Sequence, residues 1–258
     1  VEVSEATVRR RTEAAGAAYV AVQEAEQARL EHELPPPPPG PAVQQVSLDG
    51  AMAPLVGGEW AEVKTLAIGA VTTRHGKDGP EAHTEELSSF SRLADVATFT
   101  RAARIEFHAR GTEAAQTVVA VADGSEWIGG VLDTHCPQAV RILDFPHAVE
   151  HVHAAGQATW GVGTAASRAW LDEQATRLKA EGAEPVLAGL RALPVQQAVD
   201  PVAAGAARDH ALHYLEPRQE RLRYPHFQAL GYPIGSGAVE SANKLVVEAR
   251  LKGSGMHW

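Results

Sequence analysis

Three acidic residues, Asp49, Asp123 and Glu240, stand where strands are expected to end or a helix to begin. Asp49-Gly50 and Asp123-Gly124 each follow an apolar run, Val46-Ser-Leu48 and Thr117-Val-Val-Ala-Val-Ala122. Asp-Gly is a common turn dipeptide, and either pair alone reads as a turn. Two such pairs after strands, together with a third acid in a glycine-rich motif, point to carboxylates gathered at one edge of a sheet. Ligand sites of α/β proteins lie at such edges. Carboxylates held close repel one another unless a cation sits among them. Mg2+ suits oxygen donors of this kind. Two such ions about 3.5–4 Å apart can activate an attacking oxygen and stabilise a leaving one in phosphodiester chemistry.

The third acid lies in Gly231-Tyr-Pro-Ile-Gly-Ser-Gly-Ala-Val-Glu240-Ser-Ala-Asn-Lys244. Pro233, Gly235 and Gly237 interrupt regular structure, and a helical stripe of Val239, Ala242, Val246 and Ala249 then begins. Glu240, Lys244, Glu248 and Lys252 recur every fourth residue on another face. Glu–Lys pairs at that spacing are each worth roughly 0.2–0.5 kcal/mol. Pairing accounts for the charges but not for the glycine-rich approach, which delivers one carboxylate near a helix start.

Further candidates surround these acids. Asp144-Phe-Pro-His147 follows a short apolar run, Val140-Arg-Ile-Leu143, so Asp144 competes with Asp123 as the second acid. Lys64, on an alternating segment, is placed either toward phosphate or toward solvent. Lys244, Arg250 and Lys252 flank the Glu240 helix, as phosphate contacts or as partners of its glutamates. Arg9, Arg10 and Arg11 lie on a helix that resembles the end of a helix-turn-helix, and a solvated face is the competing reading. Trp60 and Trp127 read as core or rim packing. His151 and His153, two apart on a helix, point away from each other.

These residues need a scaffold. A helix is expected over residues 4–31, with Ser4 as its N-cap, followed by the stiff run Pro35–Pro39, Gly40 and Pro41. Strands are expected at 46–49, 62–71, 117–122 and 140–143, with Gly57-Gly58 turning between the first two. A helix is expected from about Leu87 to Arg110, and from Val149 to Arg223 nearly every segment reads as helix. The order of strands, helix, strands, helical block and helix indicates α/β or α+β. The domains are read as a helical segment 1–34, a linker 35–41 and a core 42–258 with helical insertion at about 150–225.

The chain has 258 residues, 45% of them hydrophobic and 21% charged, as in ordinary globular proteins. No apolar run of about 18 residues occurs, so no membrane partner is expected. The opening Val1-Glu-Val-Ser-Glu5 lacks the marks of a signal peptide. With the single Cys136 this leads to a reduced, cytoplasmic setting as the expectation. A start without Met and a stop just after a motif suggest a fragment of a longer protein. The net charge of −9 argues against a surface that grips nucleic acid everywhere and leaves only local basic patches.

Several strings resemble the bacterial DDE transposases. They are Val46-Ser-Leu-Asp49-Gly-Ala-Met52 with Trp60-Ala-Glu-Val-Lys64, Val121-Ala-Asp123-Gly-Ser-Glu-Trp127-Ile128, and Ile142-Leu-Asp144-Phe-Pro-His147-Ala-Val-Glu-His151. With the Glu240 motif and Arg250-Leu-Lys-Gly-Ser-Gly-Met-His-Trp258, the chain is similar to the ISKra-type insertion-sequence group and its Mutator-like relatives over about residues 42–258. The resemblance implies a ribonuclease H-like mixed sheet with flanking helices and an α-helical insertion before the last catalytic acid. Its three metal-binding acids map to Asp49, Asp123 and Glu240, which hold two Mg2+ ions, with Mn2+ able to substitute. A motif containing His follows the second acid by some twenty residues in that pattern, which favours Asp123 and leaves Asp144 and His147 as helpers. The implied activity is cleavage and strand transfer of transposon-end and target DNA by a homo-oligomer. The alternatives are a ribonuclease H-like nuclease that does not join, and a transposase-derived DNA-binding protein without catalysis.

Overall fold

The structure, a computed structural model, describes residues 4–76 and 79–248. It is a mixed α/β arrangement around a five-stranded sheet. A long helix α1 (Glu5–Glu33) leads to β1 (Val43–Pro54), β2 (Trp60–Gly76), β3 (Gly79–Leu93), α2 (Val96–Ala109) and β4 (Thr117–Ala122). Next come α3 (Glu126–His135), β5 (Val140–Leu143), α4 (Phe145–Trp160), α5 (Ala165–Glu181), α6 (Ala183–Arg191), α7 (Pro201–Leu215), α8 (Tyr224–Ala229) and α9 (Gly237–Ala242). The strand order is β3-β2-β1-β4-β5. The β1–β2 and β2–β3 pairs are antiparallel, and the β1–β4 and β4–β5 pairs are parallel.

Alternation along β1 explains the layering. Val46 and Leu48 point with Leu66, Ile68, Ala120 and Ala122 into a core closed by Phe99, Ala103 and Phe107 of α2 and Ile128 and Val131 of α3. Each such aliphatic side chain, fully buried, is worth about 1.5–3 kcal/mol. On the opposite face Val119 and Val121 of β4 pack beneath α4 to α8, against Val152, Leu178, Leu187, Leu215 and Tyr224. Both faces of β4 are therefore covered, which is why it reads as an unbroken apolar run rather than an alternating one. The helical block expected from Val149 onward is present as α4 to α7 with a short 3₁₀ segment, Glu216–Leu222.

Two expectations are corrected. Residues 87–93 are not helical: they finish β3, where Phe90 pairs with Leu66 and lies 5.8 Å from Phe99. The outer edge of a 17-residue β2 needs backbone partners, and that need outweighs the helical spacing of Leu93. The helix begins where Asp95 caps it, accepting from the Thr98 amide at 2.9 Å. The second correction concerns Asp49-Gly50, which is no turn: β1 continues through it to Pro54. Gly57 and Gly58, with φ of 93° and 83°, do form the turn before β2.

The segment Pro35–Pro41 has no regular structure, and Gly40 lies so close to the α2–β4 connection that a Cβ there would come within 2.4 Å of the Gly111 carbonyl. No helix among the described residues is long and apolar enough to cross a membrane.

Candidate functional site

Register brings the first two acids together. The parallel β1–β4 pairing runs from Val43–Thr117 to Val46–Ala120, and three residues further along both strands stand Asp49 and Asp123. Since Val46, Leu48, Ala120 and Ala122 face the α2–α3 core, alternation turns both aspartates to the other face. Neighbouring strands lie about 4.7–4.9 Å apart, and the two carboxylates are near enough for the charge of Asp123 to act on Asp49.

Asp49 is half-buried and its oxygens are occupied: Oδ1 accepts the Gly50 amide at 2.7 Å and Oδ2 accepts Asn243 Nδ2 at 2.7 Å. Burial pushes its carboxyl above the usual range, the two hydrogen bonds oppose that, and the charge of Asp123 raises it further. Asp123 is held by its own turn, accepting from the Ser125 amide at 2.8 Å and the Ser125 hydroxyl at 2.7 Å. Its backbone carbonyl accepts the hydroxyl of Tyr214, and the next carbonyl, of Gly124, accepts Arg218 Nη2 at 3.3 Å. Burial pushes the Tyr214 phenol up to about 12, so it remains a donor.

Asp144 has a different task. It is 1% exposed and caps α4. Oδ2 accepts the His147 amide at 3.1 Å, and Oδ1 accepts the Ser236 amide at 2.6 Å. Burial acts to raise this carboxyl, but the bonds from His147 and Ser236 prevail and hold it below the usual carboxylate range. His147 Nδ1 lies 3.6 Å from Asp144 Oδ2. That carboxylate, with Asp123 and Glu150 adding to it against partial burial, draws the His147 imidazole up to about 9, so it is a cation at neutral pH. Phe145 also donates its amide to the Ile234 carbonyl at 2.9 Å. The end of β5 thus clamps the glycine-rich approach to Glu240, and both oxygens of Asp144 are committed to that clamp.

Glu240 is exposed on α9, where the Ser236 hydroxyl lies 3.3 Å from its Oε1. It stands three residues before Asn243, the residue that reaches Asp49, and side chains at that spacing share a flank of the helix. Among the described residues, no three His, Cys, Asp or Glu side chains are grouped closely enough to hold a metal ion. The structure therefore brings Asp49 and Asp123 together and leaves Glu240 outside that group. Even so, the donors fit a hard cation: they are oxygens only, and Asn243 Oδ1, beside Asp49, is buried with no hydrogen-bond partner among the described residues.

The remaining candidates scatter. Lys64 pairs with Gly50 and points to the α2–α3 side, away from Asp49. It is 6% exposed, bound to Glu62 at 2.8 Å and to the Ala94 carbonyl at 3.2 Å, over the Trp127 ring. A strand lysine of this kind is tied down, neither solvated nor facing phosphate at the acids. Arg9, Arg10 and Arg11 are exposed on α1, with Arg9 3.8 Å from Glu13. Lys244 is exposed just after α9, while Arg250 and Lys252 lie outside the described residues. Trp127 packs edge-on against Phe99, whereas Trp60 is exposed.

Asn243, Ser236, Tyr214 and Arg218 were not singled out in the sequence. Asn243 stands inside the Glu240 motif at i+3, a spacing that could have revealed it. Tyr214 and Arg218 sit in an Ala- and Arg-rich block, where nothing local marks a contact with Asp123.

Beside the site, a groove of about 840 Å3 opens between the β2–β3 ribbon and the approach to α9, lined in part by Gln45, His83, Lys179, Tyr232 and Ser241. Gln45, on the same face of β1 as Asp49, ties its floor by donating to the Gly235 carbonyl at 3.1 Å.

The chain matches no protein-family model and no curated protein. Among solved structures, a crystal structure of NurA bound to dAMP and manganese aligns at 15% identity and a TM-score of 0.13, covering 96% of this chain and 47% of that one. The chain spans about half the length of that protein, and so low a TM-score carries no argument.

Proposed function

We propose that this chain is the catalytic core of a DDE transposase with a ribonuclease H-like fold. The observation that carries the reading is the placement of Asp49 on β1 and Asp123 just past the end of β4, each three residues beyond the paired Val46 and Ala120, with the Glu240 helix arriving at Asp49 through Asn243. Supporting it are three antiparallel strands followed by two parallel ones, and a helical block between β5 and α9. That is the layout expected of such a core with its insertion before the last acid.

Asp49 and Asp123 would hold divalent cations with Asn243 Oδ1 as a further oxygen donor, and Glu240, which stands outside that pair in this structure, would add a third carboxylate only by turning inward. When bound, Mg2+ or Mn2+ lowers the pKa of a coordinated water and neutralises charge developing around phosphorus. The chain's own residues then set the geometry. Ser125 and Gly50 fix the two aspartates, Asp144 fixes the approach to Glu240, and cationic His147 offers positive charge beside Asp123. In the first step a water oxygen attacks phosphorus and the 3′ oxygen leaves as a hydroxyl. In the second that hydroxyl attacks a target phosphodiester and displaces another 3′ oxygen, with no covalent link to protein.

The test is calorimetric titration of Mn2+ into the chain and its Asp49→Asn, Asp123→Asn, Asp144→Asn and Glu240→Gln variants, alongside nicking of supercoiled plasmid DNA. Loss of binding and nicking in the first two, with binding kept by Asp144→Asn, is expected. Nicking retained in full by Asp49→Asn or Glu240→Gln would sink the assignment. Nicks that never yield joined products, under conditions with both DNA ends present, would move the reading to a nuclease.

A further inference from the structure

The Asp123-Gly124 turn is built against the helical block that interrupts the core. Its two successive carbonyls are each taken by a side chain about ninety residues further on: Tyr214 donates to Asp123 and Arg218 donates to Gly124. Those two side chains brace each other. Arg218 Nη1 donates to the Tyr214 carbonyl at 2.8 Å, and its guanidinium carbon lies 4.3 Å from the centre of the Tyr214 ring. His151 of α4 stacks on the same ring at 3.7 Å with the planes 20° apart. Two neighbours that close cannot share one face, so the ring is held between them. Gly124 has a φ of 81°, and a Cβ there would stand 2.9 Å from Arg218 Nε. The turn and the arginine are thus fitted to each other.

We propose that Tyr214 and Arg218 are positioning residues through which the helical block sets the cation affinity of the Asp49–Asp123 pair. The inference rests on the reading of those aspartates as cation ligands. Neither residue touches the carboxylates: each holds backbone that aims Asp123. Partners one step removed from a ligand commonly change metal affinity about 10–100-fold when lost. A ring kept in its stack by Phe isolates the hydroxyl, so Tyr214→Phe removes one bond and leaves the brace.

The experiment measures Mn2+ affinity by calorimetry and amide hydrogen exchange at Ser125, whose N–H is bonded to Asp123, in the wild type, Tyr214→Phe and Arg218→Gln. Val186→Ala, a core truncation in α6, is the control for a general loss of stability. Tyr214→Phe is expected to weaken Mn2+ about tenfold and to speed exchange at Ser125, while Val119 and Val121 stay protected and Val186→Ala changes neither readout. Equal Mn2+ affinity in the wild type and Tyr214→Phe overturns the proposal, whatever the exchange shows. An equal loss in Val186→Ala overturns it too, because the effect then belongs to stability. A wild-type chain that binds no Mn2+ overturns the reading of the aspartates, and this proposal with it.

Discussion

Asn243 donates its Nδ2 to Asp49 Oδ2 at 2.7 Å, across 194 residues of chain, while its own Oδ1 is buried with no hydrogen-bond partner among the described residues. The reverse orientation of the amide would set an oxygen against a carboxylate, so the bond to Asp49 decides which way it points. With Val247 packed against Ala51 and Ala53, this contact ties the motif segment to the central strand.

Replacing Asn243 with Ala removes a hydrogen bond to a charged group, worth about 1.5–3 kcal/mol. The Asp49 carboxyl, already raised by burial, should titrate higher still. Carboxyl NMR of the variant checks this, and an unmoved Asp49 titration would show that the bond does not form in solution.

Asp49→Asn is expected to stabilise the cation-free protein at neutral pH. The folded carboxyl titrates above its ordinary 3.8. As pH rises past that value the unfolded chain releases its proton first, so stability falls until the folded group has also ionised. Removing the charge removes that loss, and each kcal/mol recovered corresponds to about 2–4 °C in melting temperature for a chain of this size. Melts at pH 7 and pH 3 should show the gain only at pH 7.

The His147–Asp144 pair gives a pH window. His147 is raised from 6.5 to about 9, so its contribution is complete below pH 6.5 and disappears as pH rises through about 9. Asp144 is depressed below 3.8, so its share is present above that value and is lost as pH falls through the lower folded value. The melting difference between the wild type and His147→Gln should be greatest near pH 5–6 and close by pH 10. A difference that does not vary across that range would mean the pair is not ionic.

Two glycines with positive φ make a controlled comparison. At Gly57 a Cβ meets nothing within 4 Å among the described residues, so Gly57→Ala costs only the left-handed backbone, about 1–2 kcal/mol. Gly124→Ala adds the collision with Arg218, and overpacking of that kind costs about 1–3 kcal/mol more. Urea denaturation should rank Gly124→Ala clearly lower, and equal midpoints would mean that Arg218 simply moves aside.

Much of this architecture is legible in sequence where local signals agree with tertiary need. The run Thr117–Ala122 is apolar on both faces because helices cover β4 on each side, and the helical block declares itself by composition. Legibility fails where a distant partner decides. Gly79–Leu93 is polar, and it becomes a strand because β2 needs a neighbour. Asp49-Gly50 mimics a turn, yet β2 pairs with it and with the residues before and after it, which keeps the strand going. Lys64 looks solvated on an alternating strand but is buried against Trp127 and Glu62. At the acids, spacing from strand to strand marks Asp49 and Asp123. The bracing by Tyr214 and Arg218 is a matter of three-dimensional packing that no short motif encodes.

The connection from α9 back to β1 also sets an order of assembly during synthesis. A ribosome that has delivered the chain through β5 has released every strand of the sheet, with both aspartates on them, while Asn243 and Glu240 are still unmade. The nascent protein can therefore pair all five strands well before it acquires Asn243 and Glu240. The contact between Asn243 and Asp49 therefore closes last, only when nearly the whole described chain is in place.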